Sequence, residues 1–213
     1  MSLDPGAPVP SPEPSPEPSP VPSDVLSAVP SPASSTGRTV GVAIAVPDPW
    51  GGQLQSFRER LGDTTAAGIP THVTLLPPHE LSADEVGAVT DHLTAAAATG
   101  APFRMHLRGT GTFRPVSPVV FVAVAEGISA CEQLASAVRS GPLAVAQEFP
   151  YHPHVTVAHH QPEDVLDRAF EELAGFECAF VVERFSLYVH DPQKGWVPTR
   201  DFELTGPDAS WPH

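Results

Sequence analysis

The sequence has a single lysine, Lys194, among 11 basic residues that face 25 acidic ones, which sets the formal net charge at −14. A surface of that sign repels polyanions at long range. Bulk binding of long nucleic acid, which needs dense lysine and arginine, is thereby excluded. A small nucleotide or one RNA end held in a local site stays compatible. Cysteine is scarce: Cys131 and Cys178 form no disulfide framework and are expected as reduced, buried thiols. No apolar run approaches the roughly 20 residues of a membrane helix, and the N-terminus lacks the basic start and apolar segment of a secretory signal. These absences point to a cytoplasmic protein without a membrane partner.

Proline, in contrast, is abundant and unevenly spread. Of 27 prolines, 11 fall within residues 1–38, around a repeated Pro-Ser-Pro-Glu unit at Ser11–Pro20. Four acidic residues against Arg38 give that stretch a charge of −3, so −11 rests on the remainder. So few large apolar side chains cannot offset the entropy of ordering, and a disordered tail is expected over residues 1–38. The 213 residues otherwise suffice for one domain or for two small lobes sharing a core.

From Thr39 the pattern changes. Thr39-Val-Gly-Val-Ala-Ile-Ala-Val46 is β-rich and stops before Pro47. Residues 50–61 place Trp50, Leu54, Phe57 and Leu61 at helical spacing. His72-Val-Thr-Leu-Leu76 reads as a short strand closed by Pro77 and Pro78. Ser82 and Glu85 have the spacing of a capping box and open a helix to about Ala98. A strand follows near Phe103–Leu107, continuing toward Phe113. The order then repeats, with a strand at Val119–Ala125, a helix at Ser129–Arg139, a strand at His154–Ala158 and a helix at Pro162–Leu173. A long alternating strand at Glu177–Val189 and a last one at Trp196–Leu204 complete the chain.

Both halves thus run strand, helix, His-x-Thr strand, helix, strand, and the two motif histidines are separated by about one such unit. Whole-unit duplication changes the expected fold. In a strand, residues two apart share a face, so His72 projects with Thr74 and His154 with Thr156. If the halves pack about a pseudo-twofold axis, two imidazoles and two hydroxyls converge on one cleft. Such a cleft suits phosphodiester chemistry, in which a base acts on the attacking oxygen and an acid on the leaving oxygen. Imidazole titrates near neutrality and can serve as either, while threonine hydroxyls can hold the non-bridging oxygens.

The segments Ile69-Pro-Thr-His-Val-Thr-Leu-Leu-Pro-Pro78 and Tyr151-His-Pro-His-Val-Thr-Val-Ala158 resemble the two signature motifs of the 2H phosphoesterase superfamily. Within it they look most like its bacterial 2′-5′ RNA ligase and cyclic-phosphodiesterase branch, over about Thr39 to Leu204. The resemblance implies an α+β, bilobal fold of two pseudo-twofold-related lobes, each with an antiparallel-type sheet and two helices, around an active-site cleft. The domain would span 39–205, with lobe one about 39–115 and lobe two about 116–205, followed by a short tail at 206–213. It implies His72 and His154 as catalytic residues, Thr74 and Thr156 as phosphate binders, and 2′,3′-cyclic phosphates or related nucleotide or RNA-terminal diesters as substrates. Many members of this branch place an arginine shortly after the second motif, where this chain has His159 and His160. That departure argues against ligation and tight RNA-end binding. Competing readings are a non-catalytic nucleotide or RNA-end binding module and an RNA 2′-5′ ligase.

Other candidates are weaker. Tyr151 can stack on a base or pack in the core, and His152 shares the face of His154 at the cleft or its rim. Arg108 and Arg114 flank the Gly109-Thr-Gly-Thr-Phe113 segment and can reach a phosphate with a planar fork. His152, His159 and His160 lack a cysteine or carboxylate partner at usable spacing, so neither a metal nor any other cofactor is expected. The protein is expected to act as a monomer.

Overall fold

The computed structural model describes residues 37–146 and 149–207. The expected Pro/Ser/Glu-rich tail lies outside the described residues except for 37 and 38, as does the C-terminal tail except for 206 and 207. Eight strands and four helices follow in the order β1 (Arg38–Ala45), α1 (Trp50–Arg60), β2 (His72–Leu81), α2 (Val86–Thr99), β3 (Phe103–Thr112), β4 (Val119–Glu126), α3 (Ile128–Val138), β5 (His154–His159), α4 (Glu163–Glu172), β6 (Glu177–Val182), β7 (Arg184–Asp191) and β8 (Gly195–Glu203).

The strands form two four-stranded antiparallel sheets, ordered β2-β1-β7-β8 and β5-β4-β3-β6. Strand for strand the orders correspond, with each His-x-Thr strand at a sheet edge and each opening strand beside it. The third strands are exchanged. β3, from the first half of the chain, pairs with β4, and β7, from the second half, pairs with β1. The expected lobe boundary near residues 115–116 therefore does not follow the sheets, because one sheet takes β7 and β8 from the second half and the other takes β3 from the first.

The exchange explains a second correction. The run expected as one strand over Glu177–Val189 is two strands in different sheets, broken at Glu183. The alternation changes phase there, with Cys178, Phe180 and Val182 turned to the core in β6, Phe185 and Leu187 in β7, and Glu183 and Arg184 both exposed between them. A phase change of this kind marks a break but not a change of partner strand. The Glu183 carbonyl accepts a hydrogen bond from the Leu204 amide at 2.7 Å. Just beyond the break, Phe185 is fully buried and stacks on Phe202 at 5.3 Å; losing a ring so placed costs about 3–5 kcal/mol.

β2 differs too, running through Pro77 and Pro78 to Leu81. Its pairing with β1 jumps from Leu76 (with Val42) to His79 (with Val40). The prolines thus sit in an irregularity on an edge strand, where a missing N–H is tolerated. The Ser82–Glu85 pair forms as expected, the Glu85 carboxylate accepting from the Ser82 amide at 2.9 Å. It caps the turn before α2, and the helix itself begins at Val86.

One core joins the sheets and helices. Val40, Val42 and Ile44 of β1 meet Val120, Val122 and Val124 of β4 in the same buried cluster as Leu54 of α1, Leu93 of α2, Leu134 of α3 and Leu166 of α4. Helices α1 and α3 also reach across, α1 packing on β5 and α3 on β2. Each motif strand is therefore held partly by the helix of the opposite unit.

Candidate active site

The two motif strands share a backbone device as well as a sequence. His72 pairs with Ala45 and Thr74 with Ala43; His154 pairs with Ala123 and Thr156 with Phe121. Immediately after each threonine the register slips. Leu76 pairs with Val42 and Leu75 is passed over; Ala158 pairs with Val120 and Val157 is passed over. A bulge of this kind adds one residue to a strand and reverses its in-out alternation beyond that point. Val155, Val157 and Ala158 consequently all enter the core. His159, paired with Val119, returns to the face of His154 and Thr156. By the same count Pro77 is its counterpart in β2.

Both imidazoles are anchored in the same way. Nδ1 of His72 lies 2.5 Å from the Pro70 carbonyl oxygen, and Nδ1 of His154 lies 2.7 Å from that of His152. A carbonyl oxygen only accepts, so Nδ1 carries the proton in each ring and Nε2 of the neutral ring keeps its lone pair. Burial pushes the pKa of each histidine down to about 4. The carbonyl bonds oppose that shift. Positive charge on Arg58 and His154 adds to it at His72, and positive charge on His152 adds to it at His154. The two motif strands, β2 and β5, also pack against each other.

Direct bonds cross from one unit to the other. The Tyr151 hydroxyl donates to the Thr74 carbonyl at 2.8 Å. Arg139 Nε donates to the Leu75 carbonyl at 2.5 Å, and its guanidinium lies 4.9 Å from the centre of the Tyr151 ring. Tyr151 thus ties the two motif strands together instead of offering a free ring, and burial holds its phenol well above its ordinary pKa.

Around His154 the walls are aromatic. Phe113 and Phe121, 4.6 Å apart, pack edge-on or tilted against His154 at 5.0 and 5.1 Å and against His152 at 5.8 and 5.6 Å. His152 also stacks on His154 at 6.3 Å, so the structure brings it into the site. Gly111 makes room for this arrangement: a Cβ there would fall 2.5 Å from the Phe121 ring. Among the described residues the Oγ1 atom of Thr156 is buried without a hydrogen-bond partner, as are Nε2 of His159 and Oγ of Ser117. Unsatisfied buried polar atoms are uncommon and call for an explanation.

Among the described residues neither candidate arginine makes a hydrogen bond to a motif histidine. Arg114 Nη1 is held by Glu163 at 2.7 Å and Asp167 at 2.9 Å on α4, and its Nε donates to the Thr112 hydroxyl at 3.3 Å. Arg108 is exposed on β3 opposite Glu177, two strands away from β5 in the sheet. An arginine that the sequence reading passed over does reach the site. Arg58 of α1 is 4 % exposed, donates to the Ile69 carbonyl at 2.6 Å and pairs with Asp63 at 3.0 Å. It stands four residues after Leu54 and next to Phe57, at the edge of the helix's apolar stripe, and that position was its only sequence signal. Phe121 gave none beyond its place in an apolar strand. Both cysteines are free and buried. Among the described residues no cluster of three or more His, Cys, Asp or Glu is arranged to hold a metal ion, and no helix is long and apolar enough to cross a membrane.

Two corresponding antiparallel sheets, each with a His-x-Thr edge strand bulged after the threonine, define an α+β protein of the two-histidine phosphoesterase class. Residues 46–194 match the family model described as the 2′-5′ RNA ligase superfamily, and the chain belongs to that superfamily, the one its paired motifs resemble. Two similar bacterial proteins both bear the name "putative phosphoesterase". One, from Bacillus licheniformis, is 30% identical over 151 residues, covering 70% of this chain and 88% of its own. The other, from Oceanobacillus iheyensis, is 27% identical over 168 residues, covering 77% and 96%. Among solved structures, TT0787 of Thermus thermophilus superposes with a TM-score of 0.58 at 25% identity, over 79% of this chain and 98% of that one. Escherichia coli LigT complexed with 3′-AMP superposes with a TM-score of 0.54 at 23% identity, over 79% and 99%; at that identity the likeness concerns the fold.

Proposed function

We propose that this protein hydrolyses 2′,3′-cyclic phosphates or related nucleotide and RNA-terminal phosphodiesters, without a metal ion, through His72 and His154. The observation that carries this reading is the duplicated anchoring: two rings fixed by Nδ1 on strands tied to each other, each leaving Nε2 available. One neutral Nε2 takes a proton from water as the water oxygen bonds to phosphorus. The other, protonated, gives its proton to the ribose oxygen as the phosphorus–oxygen bond to it breaks. A turnover leaves the two protonation states exchanged, and proton exchange with solvent resets them. Thr74 and Thr156 donate to the non-bridging oxygens, which would satisfy the orphaned Thr156 hydroxyl.

Both rings are neutral in the free protein at neutral pH, so the acid has to be generated. A bound diester anion favours the charged form of an adjacent imidazole, and the proton therefore arrives with the substrate. LigT, solved with 3′-AMP, with ATP and with phosphate, is a protein of this fold that takes such groups. The names of the bacterial relatives point the same way. The test is incubation of purified protein with 2′,3′-cyclic mononucleotides in excess EDTA, the products being read by phosphorus NMR. Ring opening to a monophosphate is expected. Binding without turnover across the panel would instead make the chain a binding module, and joining of cyclic-phosphate and 5′-hydroxyl RNA ends would make it a ligase.

A further inference from the structure

A cavity of about 420 Å³ opens beside β1, β6, β7 and β8. Its floor belongs to the sheet face that carries the first motif. Thr74 pairs with Ala43, Ala43 with Ser186 and Ser186 with Asp201, and residues paired across antiparallel strands project on one side. Ser186 and Asp201 line the cavity, and so does Ala45, the direct partner of His72. Ala45 is exposed, so the cavity adjoins the face of His72 through it, while Ala43, between Thr74 and Ser186, is buried in a cluster with Ile69, Tyr188 and Trp196. Neighbouring strands lie about 4.8 Å apart, which puts Ser186 about 10 Å from the β2 strand. A ribose can bridge from a phosphate at His72, past Ala45, to a base in the cavity.

The lining is selective in kind. Asp201 accepts from the Ser186 hydroxyl through Oδ1 at 2.6 Å, while Oδ2 has only Arg184, at the limit of an ion pair, 4.0 Å away. Arg184 is itself closer to Glu203, at 3.2 Å. Among the described residues the floor therefore offers a carboxylate oxygen with open lone pairs and no uncommitted cation. Pro47, Pro198 and Val181, the last 59 % exposed, supply apolar walls. Apolar walls above a polar floor suit a flat ring that presents hydrogen-bond donors on its edge. The acidic surroundings disfavour a second phosphate. We infer that this cavity is the nucleobase subsite and that it selects bases with N–H donors, guanine above all, since two adjacent donors match a carboxylate. The second sheet offers no equivalent, because the position of Ala43 is taken there by Phe121 and that of Ser186 by Gly111.

The inference rests on the diester-cleaving reading of His72 and His154, and its test separates the two. Initial rates are compared for 2′,3′-cyclic GMP, 2′,3′-cyclic UMP and the base-free diester bis(para-nitrophenyl) phosphate. Wild type is expected to favour the guanine substrate over the uracil one in kcat/KM by at least about tenfold, the scale of one well-placed bidentate contact. Asp201→Asn abolishes that preference through KM and leaves the base-free rate within about twofold. Val181→Asp, at an exposed rim position, raises KM for both nucleotides without depending on the Ser186–Asp201 bond for folding. A preference that survives Asp201→Asn, or a base-free rate that falls in parallel, overturns the subsite. If wild type cleaves none of the three, the catalytic reading alone has failed. Calorimetry with guanosine then decides, with binding expected in wild type and absent in Asp201→Asn, and equal or no binding in both refuting the subsite.

Discussion

The two motif strands are alike in backbone and unlike in surroundings. His72 and Thr74 are 7 % and 8 % exposed and lie on the sheet that also holds a small buried cluster of Ala43, Ile69, Tyr188 and Trp196. Arg58 stands behind them as a permanent cation. His154 and Thr156 are less buried, enclosed by Phe113 and Phe121, and accompanied by a second histidine. Duplication has kept what the chemistry requires, the ring anchor and the bulge after the threonine. What surrounds each ring has diverged. One side of the site can therefore carry a substrate pocket while the other braces a ring.

The largest effect should come from breaking either half. His72→Ala and His154→Ala are each expected to cut turnover of a 2′,3′-cyclic nucleotide by at least about 100-fold. The double variant should be little worse than either single one, because the two rings act as a unit. Steady-state rates check this, and substantial activity in either single variant would mean that the halves are not equivalent partners.

A second effect is common to both sides. Each ring titrates at about 4 when folded, against about 6.5 when unfolded. As pH falls, the unfolded chain binds protons first, so the histidine contribution to stability is intact above about pH 6.5 and is lost progressively toward pH 4. Denaturation midpoints at pH 7 and pH 5 should show that loss, and His154→Gln should reduce it.

Two smaller changes separate the environments. Gly111→Val drives a side chain into Phe121, and overpacking of this kind should cost about 1–3 kcal/mol, measurable by chemical denaturation, with a fall in turnover as Phe121 presses on His154. Thr156→Val removes a buried hydroxyl that has no partner. Stability should hold or rise by up to about 1 kcal/mol, while turnover falls at least about tenfold because a phosphate donor is gone. Loss of stability in Thr156→Val would show that the hydroxyl is structural.

Much of this was legible in the sequence. His-x-Thr at matched places in two repeats marked two short strands and which side chains project together, since period-2 alternation is a local property. The helices followed from the apolar spacing of Leu54, Phe57 and Leu61 and from the Ser82–Glu85 pair. What stayed hidden depends on partners distant in the chain. Alternation cannot say which strand lies alongside, so the exchange of β3 and β7 was invisible, although the alternation shifts phase at Glu183 and Arg184 where the chain changes sheet. The bulges after Thr74 and Thr156 leave no composition mark, and so the return of His159 to the His154 face could not be read. Pro77 and Pro78 signal a strand end in a sheet interior; only their edge position lets β2 continue. Arg114 looked available because its acidic partners, Glu163 and Asp167, lie some fifty residues further along the chain.

The central claim, that two equivalently anchored rings present Nε2 to one phosphate, is tested most directly by long-range nitrogen-15 NMR of the histidine side chains. Spectra would be recorded on the free protein and during titration with inorganic phosphate. Both His72 and His154 should appear as neutral Nδ1–H tautomers at pH 7, with both Nε2 resonances moving together and both pKa values rising as phosphate binds. An Nε2–H tautomer at either ring, or phosphate that moves only one of them, would contradict the account.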